Sequence, residues 1–143
     1  MAKEIFITQW FSEEMRLAGE TLIKRLDSID AQVYVAYWLL DDEMWGFGII
    51  SPLVGIEGPR SYYVRIDNCN ELAAADEMII ALHDISVNHC DHKIIKGMKG
   101  SLLMNTPLEN YRIGRGWLGK TFVEDMYLYR MDWNLLNNRL VAT

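Results

Sequence analysis

Val33-Tyr34-Val35-Ala36-Tyr37-Trp38-Leu39-Leu40 runs without a charge, and the acids Asp41-Asp42-Glu43 follow it directly. A second apolar run, Met44 to Ile50 with Trp45 and Phe47, comes next. β-Branched and aromatic residues on both sides of a short polar tip read as a β-hairpin. The unbroken apolar character of the first run reads as a strand buried on both faces. Each face then needs cover. Gly46 and Gly48 leave one face of the second strand without side chains. Either a ligand or another backbone comes close there, or large aromatics across the sheet, such as Trp38, fill the space.

Amphipathic segments supply the cover. Ser12 is placed to cap a helix whose first turn carries Glu13 and Glu14. Met15, Ala18, Leu22, Leu26 and Ile29 recur at helical spacing, opposite Arg16, Glu20, Lys24 and Asp27. Downstream, Ser51-Pro52 ends the hairpin and Leu53 to Gly58 reads as a loop. Gly58-Pro59 opens a second helix with Tyr62, Ile66, Cys69 and Ala73 inward, continuing towards Leu82. A short strand over His83 to Val87 precedes a third helix, with Ile94, Ile95, Met98 and Leu102 inward. After the break at Asn105-Thr106-Pro107, a second hairpin runs from Tyr111 to Leu118 and, past Gly119-Lys120, from Thr121 to Met131. Leu136 and Leu140 share a face of a short C-terminal helix starting near Trp133. The order is α-ββ-α-β-α-ββ. It predicts an α+β fold with three main helices and a mostly antiparallel sheet of about five strands.

A chain of 143 residues with this content is expected to form one domain, 1–143. Five Trp, seven Tyr and four Phe make its core aromatic, and eight Met soften it. The net charge of −6 argues against a nucleic-acid partner. Cys69 and Cys90, without a CxxC pairing, predict a reducing compartment. The charge-free run from Ala31 to Leu40 is about half the length of a membrane-spanning helix, and Ile5-Phe6-Ile7 is too short for a signal-peptide core. A cytoplasmic location away from the membrane is the expectation, and no motif calls for a cofactor.

Four stretches carry candidate chemistry. The first is Gly58-Pro59-Arg60 with Tyr63 and Arg65. A helix start offers unpaired N–H groups to an anion and Arg60 adds a charged fork; the plainer reading pairs Arg60 with Glu57. The second gathers all three histidines: His83-Asp84 and His89-Cys90-Asp91-His92. These residue types suit zinc or another divalent ion, although no standard spacing is matched, and the plainer reading is a solvated turn. In the third, Arg112 and Arg115 face Glu124, Asp125 and Arg130 across the last hairpin. Cross-strand charge pairing accounts for this; the functional reading is a charged rim beside Tyr127 and Tyr129 that recognises a ligand or partner, with Arg115 and Asp125 as its binding residues. The fourth, Gly114 to Thr121, fits GxxxxGK[ST] literally, but the β-rich run after it excludes a phosphate loop. Lys93, Lys96 and Lys99 add a basic stripe to the third helix.

Trp10-Phe11-Ser12-Glu13-Glu14, Ser51-Pro52-Leu53-Val54, Gly58-Pro59-Arg60 with Tyr63, Asp84-Ile85-Ser86-Val87 and Glu124 to Arg130 resemble segments of a group of small bacterial proteins without an assigned activity. The resemblance implies a bacterial origin and one domain, and it transfers no site residue. His89 to His92 lies outside it.

Two functions remain. One is a small non-catalytic module that binds a protein or a small anionic ligand near Arg60, Tyr63 and Arg65, with exposed sheet edges that make a homodimer reasonable. The other is a metal-dependent hydrolase or nuclease using His83, Asp84, His89, Asp91 and His92.

Overall fold

The computed structural model describes residues 2–98, 108–118 and 120–136. In chain order the elements are β1 (Lys3–Glu4), α1 (Glu13–Ser28), β2 (Val35–Asp41), β3 (Met44–Ile50), α2 (Pro52–Glu57), α3 (Pro59–Glu71) and β4 (Met78–Ile79). A 3₁₀ turn (Leu82–Asp84), β5 (Ile85–Asn88), α4 (Lys93–Met98), β6 (Leu108–Ile113), β7 (Gly116–Leu118), β8 (Thr121–Val123) and β9 (Asp125–Met131) follow. Residues 133–136 are helical. Leu102, Lys99, the 105–107 break, Gly119 and positions 137–140 lie outside the described residues.

The first hairpin closes as its composition demands. Asp42 and Glu43 both take left-handed backbone angles (φ 52° and 64°), the twist that suits a two-residue hairpin turn. Tyr37 pairs with Gly48, Trp38 with Phe47, and Leu39 with Gly46. Val35, Ala36, Tyr37 and Trp38 are all buried, so β2 is covered on both sides.

The hairpin sits inside a five-stranded sheet of order β5-β3-β2-β9-β6. The sheet is mixed rather than uniformly antiparallel: β2–β3, β2–β9 and β6–β9 are antiparallel, while β3–β5 is parallel. The parallel pair follows from the crossover through α2, α3 and β4, which returns the chain in the same direction. The expected element order also needs correction. The stretch expected as a loop forms α2, because Ser51 Oγ accepts the Leu53 N–H and Pro52 suits the first turn. The second helix stops at Glu71 instead of continuing towards Leu82. The Asn70 amide donates to Ile80 O at 3.2 Å, drawing the returning chain back along α3. There β4 pairs in parallel with β1. The last hairpin splits into a β6–β9 ladder and a separate β7–β8 ladder.

Helix α1 forms as read, with Ser12 Oγ accepting the Met15 N–H at 3.2 Å. Its stripe ends at Leu26, and Ile29 lies past the last turn, 47% exposed. Helices α1 and α3 cover one face of the sheet, around Trp38, Phe47 and Ile49. Ile94 and Ile95 of α4, Val123 of β8, Trp133 and Leu136 cover the other, around Val35, Tyr37 and Met126. Phe11 extends the first layer. Its ring stacks on Tyr127 with centroids 5.0 Å apart, and Trp45 Nε1 donates to Gln9 O at 3.0 Å, fixing the arm before α1. Among the described residues, no helix is long and apolar enough to cross a membrane.

Gly19 sets how closely α1 approaches the sheet. A Cβ there would overlap Tyr129 Oη and stand 2.9 Å from Phe47 Cε1, both in buried rings. Alanine improves helix propensity by about 1 kcal/mol, whereas overpacking a rigid core costs about 1–3 kcal/mol. Gly19→Ala is therefore expected to lower the unfolding free energy by up to about 2 kcal/mol, read as a lower urea midpoint at unchanged slope. A higher midpoint would show that the rings yield.

Candidate functional site

The α3 start does not gather its three expected residues. Gly58 takes φ 89°, a conformation that glycine permits, and Pro59 begins the helix. Arg60 is exposed. Tyr63 Oη donates to Ile85 O at 2.7 Å, tying α3 to β5. Glu57 pairs with Arg65, not Arg60, at 2.5 Å, and the guanidinium holds the Glu57 carboxyl below the usual carboxylate range. Arg65 thus joins α2 to α3. Five helical positions separate it from Arg60, about 140° around the axis.

Arg115 and Asp125 also separate. Arg112 grips Asp125 with two bonds of 2.6 Å, while Arg115 lies over the Phe122 ring with its guanidinium carbon 5.7 Å from the centroid. Arg130 reaches away from its hairpin to Asp27 of α1, at 2.6 and 2.9 Å.

The histidine window spreads along β5. His83, its side chain 79% exposed, has Nε2 3.5 Å from Asp84 Oδ2. At the other end of the strand, His89 Nδ1 lies 3.2 Å from Asp91 Oδ1, with the ring against Gly55. His92 Nδ1 accepts the Ile94 N–H at 3.3 Å and caps the start of α4. A four-residue strand spans about 13 Å, which keeps the two ends from one coordination sphere. Among the described residues, no three His, Cys, Asp or Glu side chains are grouped to hold a metal ion. In the phosphate-loop look-alike, β7 and β8 pair as a hairpin and no helix opens.

A different site emerges over β3 and β5. The two strand glycines behave differently. A Cβ on Gly48 would collide with the Tyr37 ring, so Tyr37 fills that space; Trp38, on the opposite face, does not. Gly46 has nothing within 4 Å of the corresponding position. That gap is part of an open groove of about 530 Å³, within the usual size of small-molecule sites. Ile85 and Val87 of β5 point into the first core, so Ser86 and Asn88 turn to the groove, and His92, Lys93 and Ile94 bound it on the α4 side. His83 and Asp84 reach the same groove from the 3₁₀ turn.

Tyr37 is the unusual member. The residue is 3% exposed and lines the groove, yet its hydroxyl has no hydrogen-bond partner among the described residues. Burial pushes its pKa up to about 12, so it stays a neutral phenol. Burial, and then the Lys93 charge, push the His92 pKa down. With Nδ1 accepting a backbone N–H, neutral His92 carries its proton on Nε2 and can only donate there. Gly46 between Trp45 and Phe47 was the signal visible in the sequence; the missing partner of Tyr37 had none.

The glycine contrast is directly testable. Gly48→Ala is expected to cost about 1–3 kcal/mol by displacing the Tyr37 ring, while Gly46→Ala stays within about 0.5 kcal/mol of the wild type. Chemical denaturation measures both. Equal effects would contradict the different packing of the two positions. No family model, curated protein or solved structure matches the chain.

Proposed function

We propose that this chain is a binding module without catalytic chemistry of its own, and that its ligand is a small molecule seated in the groove over Gly46. The observation that carries this reading is Tyr37, 3% exposed at the floor of the groove, whose hydroxyl has no partner among the described residues. A hydroxyl that the protein leaves unpaired takes its hydrogen bonds from water or from a ligand. Such groups in native proteins usually have a function or a partner from outside the chain. Among the described residues, the groove holds no paired nucleophile and base. Ser86 makes no hydrogen bond to a histidine among the described residues, and His92 Nδ1 is already engaged by the backbone. Arg60 at the α3 start is exposed, and a solvated charge without a second anchoring group binds weakly.

Tyr37→Phe separates stability from binding. It removes a hydroxyl that has no partner among the described residues, so thermal stability should hold or rise. Native mass spectrometry of the protein isolated from its source should show a small-molecule adduct on the wild type. Occupancy should fall about fivefold or more in Tyr37→Phe, as expected for losing one hydrogen bond of about 1 kcal/mol, and persist in Arg60→Ala. An adduct lost in Arg60→Ala and kept in Tyr37→Phe would move the seat to the α3 start. A wild-type mass without any small molecule would overturn the reading in favour of a macromolecular partner.

A further inference from the structure

We infer that the ligand of this groove is a small carboxylate with an apolar body. The inference rests on the groove being the binding site and adds the chemistry it selects. Two of its polar groups offer a proton to the groove and have no acceptor among the described residues: Tyr37 Oη–H at the floor and His92 Nε2–H at the wall. Lys93 stands beside them and meets no carboxylate within ion-pair distance among the described residues. Donors without acceptors call for an acceptor on the ligand, and a cation among them favours an anionic one, since charge-assisted hydrogen bonds are about twice as strong as neutral ones.

The acids of the groove are differently placed. Asp41 is exposed at the end of β2, and Asp84 already has His83 at 3.5 Å. The overall charge of −6 does not decide the matter, because screening confines exposed charges to about 8 Å at physiological salt. Leu39, Met44 and Ile94 supply apolar lining, which a bare inorganic anion would leave uncovered. An apolar tail against these side chains and a carboxylate on the donors uses both halves of the groove.

The test is amide chemical-shift titration of the whole chain with four probes: 3-phenylpropionate, 3-phenylpropionamide, 3-phenylpropylamine and inorganic phosphate. The carboxylate should shift the amides of Gly46, Ser86 and Asn88 and bind about tenfold more tightly than the neutral amide. Lys93→Gln should remove most of that preference while leaving the affinity for the neutral amide within about twofold. Tyr37→Phe should weaken both. Equal binding of carboxylate and amide would overturn the charge inference and leave the groove intact as a site. Tighter binding of the amine would assign recognition to Asp41 and Asp84 and overturn it as well. Phosphate binding there as tightly as the carboxylate would overturn the apolar body. Absence of groove shifts with every probe would overturn the groove itself.

Discussion

The fold depends on hydrogen bonds made by two aromatic side chains to the backbone of α1. Trp38 Nε1 donates to Met15 O at 3.2 Å and to Tyr129 Oη at 3.0 Å, and Tyr129 Oη donates to Arg16 O at 2.7 Å. Strands β2 and β9 therefore hold the same turn of α1. These bonds are buried, and leaving either donor unsatisfied costs about 1–3 kcal/mol, comparable to truncating a core aliphatic. Burial also raises the pKa of Tyr129, which keeps its proton available as the donor. Hydrophobic contact alone would let α1 slide along its apolar stripe. The indole and phenol fix its register, and Gly19 allows the approach they need.

A second polar hub closes the same layer. Ala31 O accepts Ser51 Oγ at 3.2 Å and Tyr62 Oη at 3.0 Å, with all three residues buried. It joins the exit of α1 to the end of β3 and to α3. Asp30 and Gln32 on either side take left-handed φ of 54° and 52°. Such conformations are unfavourable for residues with a Cβ, so the hub holds the loop against its own local preference. Together with the Trp38 and Tyr129 bonds, this hub ties the layer of α1 and α3 to the sheet. Among the described residues the second face has no equivalent lock over β3 and β5, and the groove lies beside α4 there.

Much of this layout was legible before any coordinates. The Ser12 cap, the stripe from Met15 to Leu26 and the turn at Asp42-Glu43 are local features, and local chemistry determined them. The failures share one cause, which is dependence on distant partners. Helix α3 ends because Asn70 meets Ile80 O, and β5 lies parallel because of where the crossover returns it. The glycine gap was visible, but assigning Trp38 to fill it put the wrong residue on the wrong face. Strand alternation separates Tyr37 from Trp38 by one position, and only the pairing with Gly48 settles which ring covers which glycine. The histidine window was misleading because proximity in sequence is not proximity across a strand.

Charge shows most clearly why composition alone identifies no site. Arg16, Arg25, Arg65, Arg112 and Arg130 are each bound to a carboxylate, and several of these pairs join distant elements: Arg25 to Glu77, Arg130 to Asp27. In an acidic chain most arginines find structural partners, so their presence near an opening says little about ligands. What separates the groove from the α3 start is burial. Arg60 remains hydrated whether or not an anion arrives, and its bond to one is offset by the water it releases. Tyr37 is packed to 3% exposure, so on the proposed reading an acceptor in the groove meets a hydroxyl whose position the core has already fixed. Recognition there would draw on order that folding has already imposed, whereas at Arg60 it would have to impose that order on binding.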